Sequence, residues 1–506
     1  MYLVEVYRLY TQPLKRSLAG AYKVVRAGIV RRSDFDAALG RQHDTVAQGR
    51  GLGEHAAKQG FRRTEWLAIV RAIDVCRVKQ VEARFNRCVD PRPRCAYVIS
   101  AEAPETPANP RNAQAPLAEG TAGVGSENGR SAQHIHHVGF SKGFSMSALR
   151  LGIVGAGMMA REHIRNIKLV DTVRLVALAD PESSSLKASV EEAGGVWGDI
   201  ATFDSAASMA AGAALDAVIV SSPNFTHRAV LEPLFDAGVH ILCEKPLCTM
   251  LEDARWVVDR AGRHKAVFWT AMEYRFMPPA AQFVEEVRGG SVGRLVMLTI
   301  REHRFPFLVK VGNWNRFSSN TGGTMVEKCC HFFDLMRLIV NAEPVRVYCS
   351  GAMDVNHLDE RYGGRQPDII DNSFTIVDFD NGVRAMLDLC MFAEGAEQQE
   401  TLTAVGDSAR LEAYIPAGDL VHSVRVPLGA PKQVTKRHVP VDEAALKAGT
   451  HHGSVYYQLL AFLDAIMGRG PTVVTATDGL RAVAIGAAAE ISAREGRVVT
   501  MAELGF

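Results

Sequence analysis

The sequence predicts an α/β domain built on a parallel sheet, followed by an α+β domain with a largely antiparallel open sheet. Between residues 149 and 270, short apolar, β-branched runs alternate with segments of helical length. Such alternation is typical of a parallel sheet with helices on both faces. From about residue 271 onward the predicted strands follow one another directly, and Asp380-Asn381-Gly382 between two of them is a strong hairpin signal. The second sheet should therefore be mainly antiparallel.

The individual elements follow from these two patterns. In the first domain, residues 146–270, we predict strands at 149–154, 173–179, 217–221, 240–243 and 266–270. In the second domain, residues 271–506, we predict strands at 295–304, 345–351, 373–379, 383–392, 400–405 and 410–415. Helices at 279–288, 324–340 and 455–467 should cover one face of that sheet.

Residues 1–145 differ in composition from the rest of the chain. They hold 22 Lys+Arg against 13 Asp+Glu, whereas residues 146–506 hold 35 against 43. Residues 101–145 are rich in Pro, Ala, Gly, Ser and Asn, which is typical of a disordered linker. We expect residues 1–145 to be a disordered or dispensable extension and the working protein to begin at Met146, with a basic accessory arm as the alternative.

Composition also excludes several classes of protein. Formal net charge is +1 over the whole chain, which argues against a nucleic-acid or membrane-surface partner. Runs of about 18 apolar residues are absent from the sequence, so a membrane-spanning helix is not expected. Nine scattered cysteines make a poor disulfide or metal framework, and we expect a reducing, cytoplasmic location.

A glycine-rich hexapeptide lies where the first predicted strand meets the first predicted helix. Gly155-Ala156-Gly157-Met158-Met159-Ala160 has the G-x-G-x-x-A spacing of a dinucleotide-binding fingerprint. The first glycine permits a tight turn, and the second lets the backbone approach a pyrophosphate at a helix N-terminus. An ordinary strand-to-helix turn is the alternative. In its context, this motif predicts a Rossmann domain that binds NAD or NADP.

An acidic residue follows the second predicted strand. Asp180 lies 25 positions after Gly155, close to the offset of about 20 residues at which an acid bonds the adenosine ribose. A carboxylate there would repel a 2′-phosphate, so NAD is favoured and NADP is the second choice. Asp180 could instead initiate a turn before Pro181.

Three features together resemble the Gfo/Idh/MocA family of oxidoreductases, named for glucose–fructose oxidoreductase and inositol dehydrogenase. They are the hexapeptide, the Glu244-Lys245-Pro246 motif, and the segment from Gly322-Gly323 to His331-Phe332-Phe333-Asp334-Leu335. The resemblance extends from about residue 149 to the end. It implies hydride transfer between nicotinamide and a hydroxyl-bearing carbon of a small polyol, inositol or sugar, and a homo-oligomer formed through the outer face of the antiparallel sheet.

The resemblance also implies the principal catalytic roles. Lys245 would hydrogen-bond the reacting hydroxyl, and burial could lower its pKa. Pro246 is expected to fix the turn, with a cis peptide bond as an implied feature. His331 would act as general base during oxidation and general acid during reduction. A solvated lysine and an ordinary core histidine are the alternatives for these two residues.

Glu327 precedes His331 by four residues and would share its helix face, where most relatives carry Asp. A capping box, Thr324-Met325-Val326-Glu327, is the competing structural explanation. We assign the remaining candidates in two groups. On the cofactor side are Ser222, Pro223, Asn224, His227 and Glu244, with a plain helix entry as the alternative for residues 222–227. On the substrate side are Tyr274, Arg275, Trp314, Lys328 and His451, although a solvated or ion-paired role fits Lys328 equally well.

A metal site is not expected at Cys329-Cys330-His331, because adjacent helical cysteines point about 100° apart. The predicted reaction is oxidation of a secondary alcohol, or its reverse. Two other functions stay open at this point: an NAD-dependent glycosidase that acts by transient oxidation, and a nucleotide-sensing regulator that has lost the reaction.

Overall fold

The computed structural model of the protein describes residues 148–506. The prediction for residues 1–145 lies outside these described residues. Within them the chain forms two sheets, one of six strands and one of nine. This arrangement confirms the predicted fold class, a Rossmann-like parallel sheet followed by a mostly antiparallel one.

The first sheet is parallel, with strand order β3-β2-β1-β4-β5-β6. Its strands are buried and apolar except β3, a three-residue edge strand with no buried residue that the apolar pattern did not reveal. The strands are β1 (Leu149–Val154), β2 (Val173–Ala179), β3 (Ala201–Phe203), β4 (Ala217–Val220), β5 (His240–Glu244) and β6 (Phe268–Ala271). The connecting helices are α1 (Met158–Ile167), α2 (Ser183–Ala193), α3 (Ala206–Gly212), α4 (His227–Ala237) and α5 (Leu251–Arg263).

The strand order reverses direction between β1 and β4, which are neighbours in the sheet. At such a switch point the loops after adjacent strands diverge, and a crevice opens at their carboxyl ends. The loops that begin at Gly155, Ser222 and Lys245 all start at this edge, after β1, β4 and β5. The fold therefore gathers the predicted cofactor-side segments at one edge.

The second sheet has the order β14-β13-β12-β11-β7-β10-β9-β8-β15. Its pairs are antiparallel except β7 with β10, which are parallel, and the predicted hairpin at residues 380–382 joins β9 to β10. The strands are β7 (Leu295–His303), β8 (Pro344–Ala352), β9 (Asn372–Phe379), β10 (Arg384–Cys390), β11 (Glu400–Gly406), β12 (Ala409–Ile415), β13 (Asp419–Val424), β14 (Gln433–His438) and β15 (Val499–Thr500). Sequence analysis missed β13 and β14 at one edge and the two-residue β15 at the other; β14 is fully exposed and has no apolar alternation.

Helices cover the inner face of this sheet. The expected helix 324–340 is two helices, because regular helical geometry is interrupted at Lys328 and Cys329. Sequence analysis also missed α12, which is rich in Ala and Gly and is buried on several sides rather than along one stripe. The helices are α6 (Pro278–Arg288), α7 (Ser318–Thr321), α8 (Thr324–Glu327), α9 (Cys330–Val340), α10 (Glu443–Ala448), α11 (Ser454–Ile466) and α12 (Ala476–Glu495).

The opposite face of the nine-stranded sheet carries exposed apolar side chains. Phe374 and Ile376 on β9 lie beside Tyr348 on β8, and Met297 is exposed on β7, on the far side of β10. Phe374 is 59% exposed and Met297 is 52% exposed. We call these four residues the outer apolar face. Exposed apolar side chains grouped on one sheet face are typical of a protein interface.

Three further properties bear on the exclusions made above. None of the helices in residues 148–506 combines the length and apolar character needed to cross a lipid bilayer. The same part of the chain contains no group of three or more His, Cys, Asp or Glu side chains arranged to hold a metal ion. The six cysteines in these residues are free thiols. A cytoplasmic location stays a prediction.

Candidate active site

The turn after β1 forms a cradle with glycine at two positions whose surroundings differ. Gly155 has a φ of 88°, and a Cβ there would lie 2.4 Å from the backbone nitrogen of Ser222. Gly157 precedes α1, and a Cβ there would meet no atom of residues 148–506 within 4 Å. Open space in front of a helix N-terminus suits an anionic pyrophosphate. We call residues 155–160 together with Asp180 the cofactor cradle.

Asp180 lies at the carboxyl end of β2, beside this turn. Its Oδ2 accepts a hydrogen bond from the Ala156 amide at 2.7 Å, and its Oδ1 accepts one from the Glu182 amide at 2.8 Å. The second contact forms the local turn that was the alternative explanation for Asp180. The first contact holds the carboxylate against the fingerprint turn, where it is still partly exposed. The position of Asp180 is therefore compatible both with binding of the adenosine ribose and with initiation of the turn.

His227 supports the loop that follows β4. This imidazole is fully buried, and its two nitrogens lie 3.0 Å and 3.1 Å from the carbonyl oxygens of Pro246 and Ser222. Because both nitrogens face backbone carbonyls, His227 positions the two loops and has no nitrogen free for a cofactor. Ser222 and Pro223 are part of this loop. Asn224 is buried, and its side-chain amide nitrogen is unpaired among the described residues.

The motif after β5 leads into the polar centre of the molecule. The peptide bond between Lys245 and Pro246 is cis. The Nζ of Lys245 donates to the backbone carbonyl of Glu327 at 3.0 Å, so residues 82 positions apart meet. Burial alone would lower the pKa of Lys245, but the nearby Cys330, Glu273 and Glu327 outweigh burial and raise it. The expected lowering of this pKa was wrong, because the surrounding carboxylates stabilise the ammonium.

Glu244, which precedes this lysine, faces α1 rather than open space. Its Oε1 lies 2.7 Å from the Nε2 of His163, and both side chains are buried. Burial alone would raise the pKa of Glu244, but the hydrogen bond and charge of His163 lower it. Sequence analysis missed His163. This pair ties the end of β5 to the helix that begins at the cofactor cradle.

His331 lies in the first turn of α9 and is only 2% exposed. Its ring stacks on Tyr274 with centroids 4.1 Å apart and planes 8° apart. Burial, together with the charges of Lys245 and Lys328, lowers the pKa of His331 well below its usual value. A neutral imidazole can accept a proton, which is what a general base requires.

Sequence analysis missed Glu273, which immediately precedes Tyr274. Its Oε1 lies 3.4 Å from the Nε2 of His331, and its side chain is 2% exposed. Burial, and then the nearby charge of Glu244, raises the pKa of Glu273 to about 7. The only sequence signal was its position after β6, at the same edge of the sheet as Lys245. Lys245, Glu273, Glu327 and His331 are called the polar junction below.

Glu327 ends α8 and is buried. The N-cap of α8 is Gly323, and the Thr324 hydroxyl donates instead to the carbonyl of Ile370 at 2.6 Å, so the capping-box alternative was wrong. Burial raises the pKa of Glu327, an effect opposed by the charges of Lys245 and Lys310. Lys310, on the loop after β7, is a further residue that sequence analysis missed.

Of the proposed substrate-side residues, Lys328 and Arg275 are held in buried ion pairs. Lys328 is 4% exposed, donates to the Tyr274 hydroxyl, and lies 2.9 Å from Glu302. Arg275 forms a bidentate pair with Asp334. These contacts favour the interpretation of Lys328 as an ion-paired residue. They make Arg275 a residue that ties β6 to α9, away from the polar junction.

Trp314 and His451 are more accessible. Trp314 meets Phe225 edge-on, with ring centroids 6.0 Å apart, so it closes over the loop that follows β4. His451 lies in the loop before α11, and its Nδ1 is 2.8 Å from the Oε1 of Glu162 on α1. Tyr274 itself is buried against His331.

Comparison with known proteins identifies the class of protein to which this fold belongs. Residues 149–272 match the profile of an oxidoreductase family domain described as an NAD-binding Rossmann fold. Residues 284–501 match the C-terminal alpha/beta domain of the same family. Because the two matches together cover more than half of the chain, the protein belongs to the Gfo/Idh/MocA oxidoreductase family. The predicted family and enzyme class are thereby confirmed, as is the prediction of an NAD-binding Rossmann domain.

Individual relatives are more distant. The chain is 31% identical over 205 residues to the rhizopine catabolism protein MocA of Rhizobium meliloti, an alignment that covers 39% of this chain and 59% of that protein. It is 24% identical over 366 residues to myo-inositol 2-dehydrogenase of Thermotoga maritima, covering 70% and 99%. A levoglucosan dehydrogenase solved with NADH and levoglucosan shares the fold, with a TM-score of 0.60, 17% identity, and 70% and 100% coverage.

Proposed function

We propose that the protein is an NAD-dependent dehydrogenase that oxidises a secondary hydroxyl of an inositol, sugar or related polyol, or reduces the corresponding ketone. The observation that supports this proposal most directly is the polar junction. Its amine lies directly after β5 of one domain and its imidazole lies in α9 of the other, and the Lys245 Nζ donates at 3.0 Å to the carbonyl of Glu327, four residues before His331. A cationic donor and a neutral base side by side are what alcohol oxidation needs.

Each side chain can be given a role in this reaction. When bound in the cradle, the nicotinamide would supply the hydride acceptor. Lys245 keeps its charge because its pKa is raised, so it can donate to the substrate oxygen and stabilise alkoxide character. His331 is neutral and can take the hydroxyl proton. Glu327 positions the Lys245 amine, because its backbone carbonyl accepts a hydrogen bond from the Lys245 Nζ at 3.0 Å.

The choice of NAD over NADP is supported by Asp180. Its carboxylate is held beside the fingerprint turn by the Ala156 amide. A negative charge at that place favours ribose hydroxyls and disfavours a 2′-phosphate. We therefore propose NAD as the working cofactor.

The substrate class is supported by the chemistry of the site and by the names of relatives. The buried polar side chains of Glu327 and His331 suit a polyhydroxylated substrate. Among relatives, the Thermotoga maritima protein is named myo-inositol 2-dehydrogenase, and one from Escherichia coli is named D-glucoside 3-dehydrogenase. Both names describe oxidation of a ring hydroxyl.

We also propose a homo-oligomer that forms through the outer apolar face. Its exposed Phe374, Ile376, Tyr348 and Met297 would be covered by the same face of a second copy, an arrangement typical of two-fold assemblies. Light scattering of the full chain tests this. A Phe374→Glu variant should lower the measured mass if the face is an interface, and an unchanged mass would contradict it.

The deciding experiment is a substrate panel with the full-length chain. Inositols, aldoses, anhydrosugars and their keto forms are each incubated with NAD and with NADP, and NADH or NADPH is followed by absorbance. Steady production of NADH with one polyol supports the proposal. Tightly retained cofactor without net NADH would point to an NAD-dependent glycosidase instead, and nucleotide binding without turnover would point to a regulator.

A further inference from the structure

We propose that Lys328 is a positioning residue for His331: its ammonium holds Tyr274, and the ring of Tyr274 holds the imidazole in the orientation that proton transfer requires. The inference rests on the proposed function, in which His331 accepts the proton of the substrate hydroxyl. Lys328 acts through Tyr274, so it is not itself a catalytic residue.

The rings of Tyr274 and His331 form a face-to-face stack. Their centroids are 4.1 Å apart, their planes differ by 8°, and each residue is 2% exposed. Aromatic pairs by themselves favour offset or edge-to-face arrangements, with centroids about 4.5 to 7 Å apart. A parallel stack at 4.1 Å therefore needs a further contact that holds one of the two rings.

Lys328 makes that contact with Tyr274. Its Nζ donates a hydrogen bond to the Tyr274 hydroxyl at 2.5 Å and lies 4.6 Å from the centre of the ring. The ammonium thus restrains both the oxygen and the ring of the tyrosine. Lys328 also precedes His331 by three residues, so the same side chain connects the backbone near the histidine to the ring on which the histidine stacks.

The second sheet in turn holds Lys328. Its Nζ lies 2.9 Å from the Oε1 of Glu302 on β7, which is fully buried, and Glu400 on β11 lies directly opposite Glu302. Like charges at opposed positions are unfavourable, and burial, together with the charge of Glu302, raises the pKa of Glu400 well above its usual value. Glu400 is thus the neutral acid of the pair, which leaves Glu302 as the charged partner of Lys328.

The hydrogen bonds of His331 do not fix its ring. Its Nδ1 has no hydrogen-bond partner within residues 148–506, and its Nε2 lies 3.4 Å from Glu273, which is too long for a strong hydrogen bond. The stack on Tyr274 is therefore the contact that sets the plane of the imidazole. Because both nitrogens lie in that plane, it also sets the directions in which they can accept a proton. A displacement of about 1 Å at a reacting group can cost about 100-fold in rate.

The first test separates positioning from support of the fold. Lys328→Met breaks the contact with Tyr274 but leaves the Glu302 carboxylate buried without its partner, so both Tm and kcat should fall. In Lys328→Met/Glu302→Gln most of the lost Tm should return, whereas kcat for the polyol that the wild type oxidises fastest should stay about 30-fold below wild type. Arg150→Met, which breaks an ion pair with Asp216 at the start of β1, is the control and should lower Tm alone. Recovery of kcat together with Tm in the double variant would overturn the proposal.

Substitutions at Tyr274 divide its two contacts. Tyr274→Phe keeps the ring and loses only the hydroxyl that Lys328 holds, so kcat should fall by about 10-fold. Tyr274→Leu loses the stack as well, and the fall should be about 100-fold. Tyr414→Phe, which loses a 2.8 Å hydrogen bond to Glu412 on β12, is the matched control and should keep the wild-type kcat. A Tyr274→Phe variant with the wild-type kcat would overturn the role of Lys328.

A second measurement needs no substrate. Protons held over the face of an aromatic ring resonate upfield of their usual positions, so the ring protons of His331 report the stack. NMR of full-length protein with carbon-13 histidine identifies these signals by their loss in His331→Asn. They should lie upfield in the wild type and move downfield in Tyr274→Leu and in Lys328→Met/Glu302→Gln. Wild-type shifts in the double variant would overturn the positioning role.

The two measurements also separate this inference from the function on which it rests. A wild type that oxidises no polyol would overturn the proposed function, and the NMR shifts would still decide whether Lys328 orients the imidazole of His331.

Discussion

The cofactor cradle and the polar junction lie at the same edge of the parallel sheet, but the cradle is formed mainly by backbone groups and the junction by side chains. The cradle consists of two glycines, the N-terminus of α1, and the backbone amides that donate hydrogen bonds to the carboxylate of Asp180. The junction consists of ionisable side chains, three of them almost completely buried, drawn from separate segments. A contiguous backbone motif can be recognised from its spacing. A cluster of side chains becomes visible only when the chain is folded.

The comparison also separates binding from chemistry. Changes in the cradle should weaken cofactor affinity, and changes in the junction should slow the reaction. The predictions below test that separation, beginning with the largest expected effect.

Lys245→Ala should lower kcat by about 1000-fold, because it removes the only proposed donor to the substrate oxygen. The NAD dissociation constant, measured by fluorescence titration, should change by less than about threefold, since the cradle is intact. Lys265→Ala, at an exposed lysine, serves as the control and should match the wild type. A normal kcat in Lys245→Ala would remove this residue from the chemistry.

Glu490→Gln tests whether burying the Glu490 carboxylate against the amide of Met325 on α8 costs stability. Burial raises the pKa of Glu490 from 4.5 to about 7, so its contribution to folding is complete below about pH 4.5 and is lost as pH rises through about 7. Relative to the variant, the wild type should therefore lose up to about 3 kcal/mol of unfolding free energy between about pH 5 and 8. Urea unfolding of both proteins at several pH values measures this. Parallel pH profiles would contradict it.

Gly155→Ala and Gly157→Ala form a matched pair within the cradle. Gly157→Ala should weaken NAD binding by about 30-fold without lowering Tm, because its Cβ enters open space that the pyrophosphate would use. Gly155→Ala should lower both Tm and NAD affinity, because its Cβ would lie 2.4 Å from the Ser222 nitrogen. Equal Tm losses in the two variants would show that the open space at Gly157 is not the cofactor site.

Asp180→Ser should have the smallest effect. Loss of the carboxylate should weaken NAD binding by about tenfold and narrow the preference over NADP, since the charge that repels a 2′-phosphate is gone. Asp171→Ser, at an exposed turn, is the control. The ratio of kcat/KM values for the two cofactors gives the answer, and an unchanged ratio would argue that Asp180 only supports the turn.

Sequence analysis succeeded where the signal was local. The five longer parallel strands, the fingerprint turn and the hairpin at residues 380–382 were predicted within a few residues of their observed positions. It was less successful with elements that have no apolar stripe. The exposed β14 and the uniformly buried α12 lack the periodicity on which such predictions depend.

The sequence alone determined the fold class and the dinucleotide-binding turn, because each is encoded by neighbouring residues whose spacing has a direct physical meaning, and its motifs carried the resemblance to the family. Only the tertiary structure decided which carboxylate faces His331, that Lys245 keeps its proton, and that Lys328 and Arg275 are bound in ion pairs. Those outcomes depend on burial and on charges contributed by distant segments. Electrostatic energies of this kind are set by distance in space, and distance along the chain does not report them.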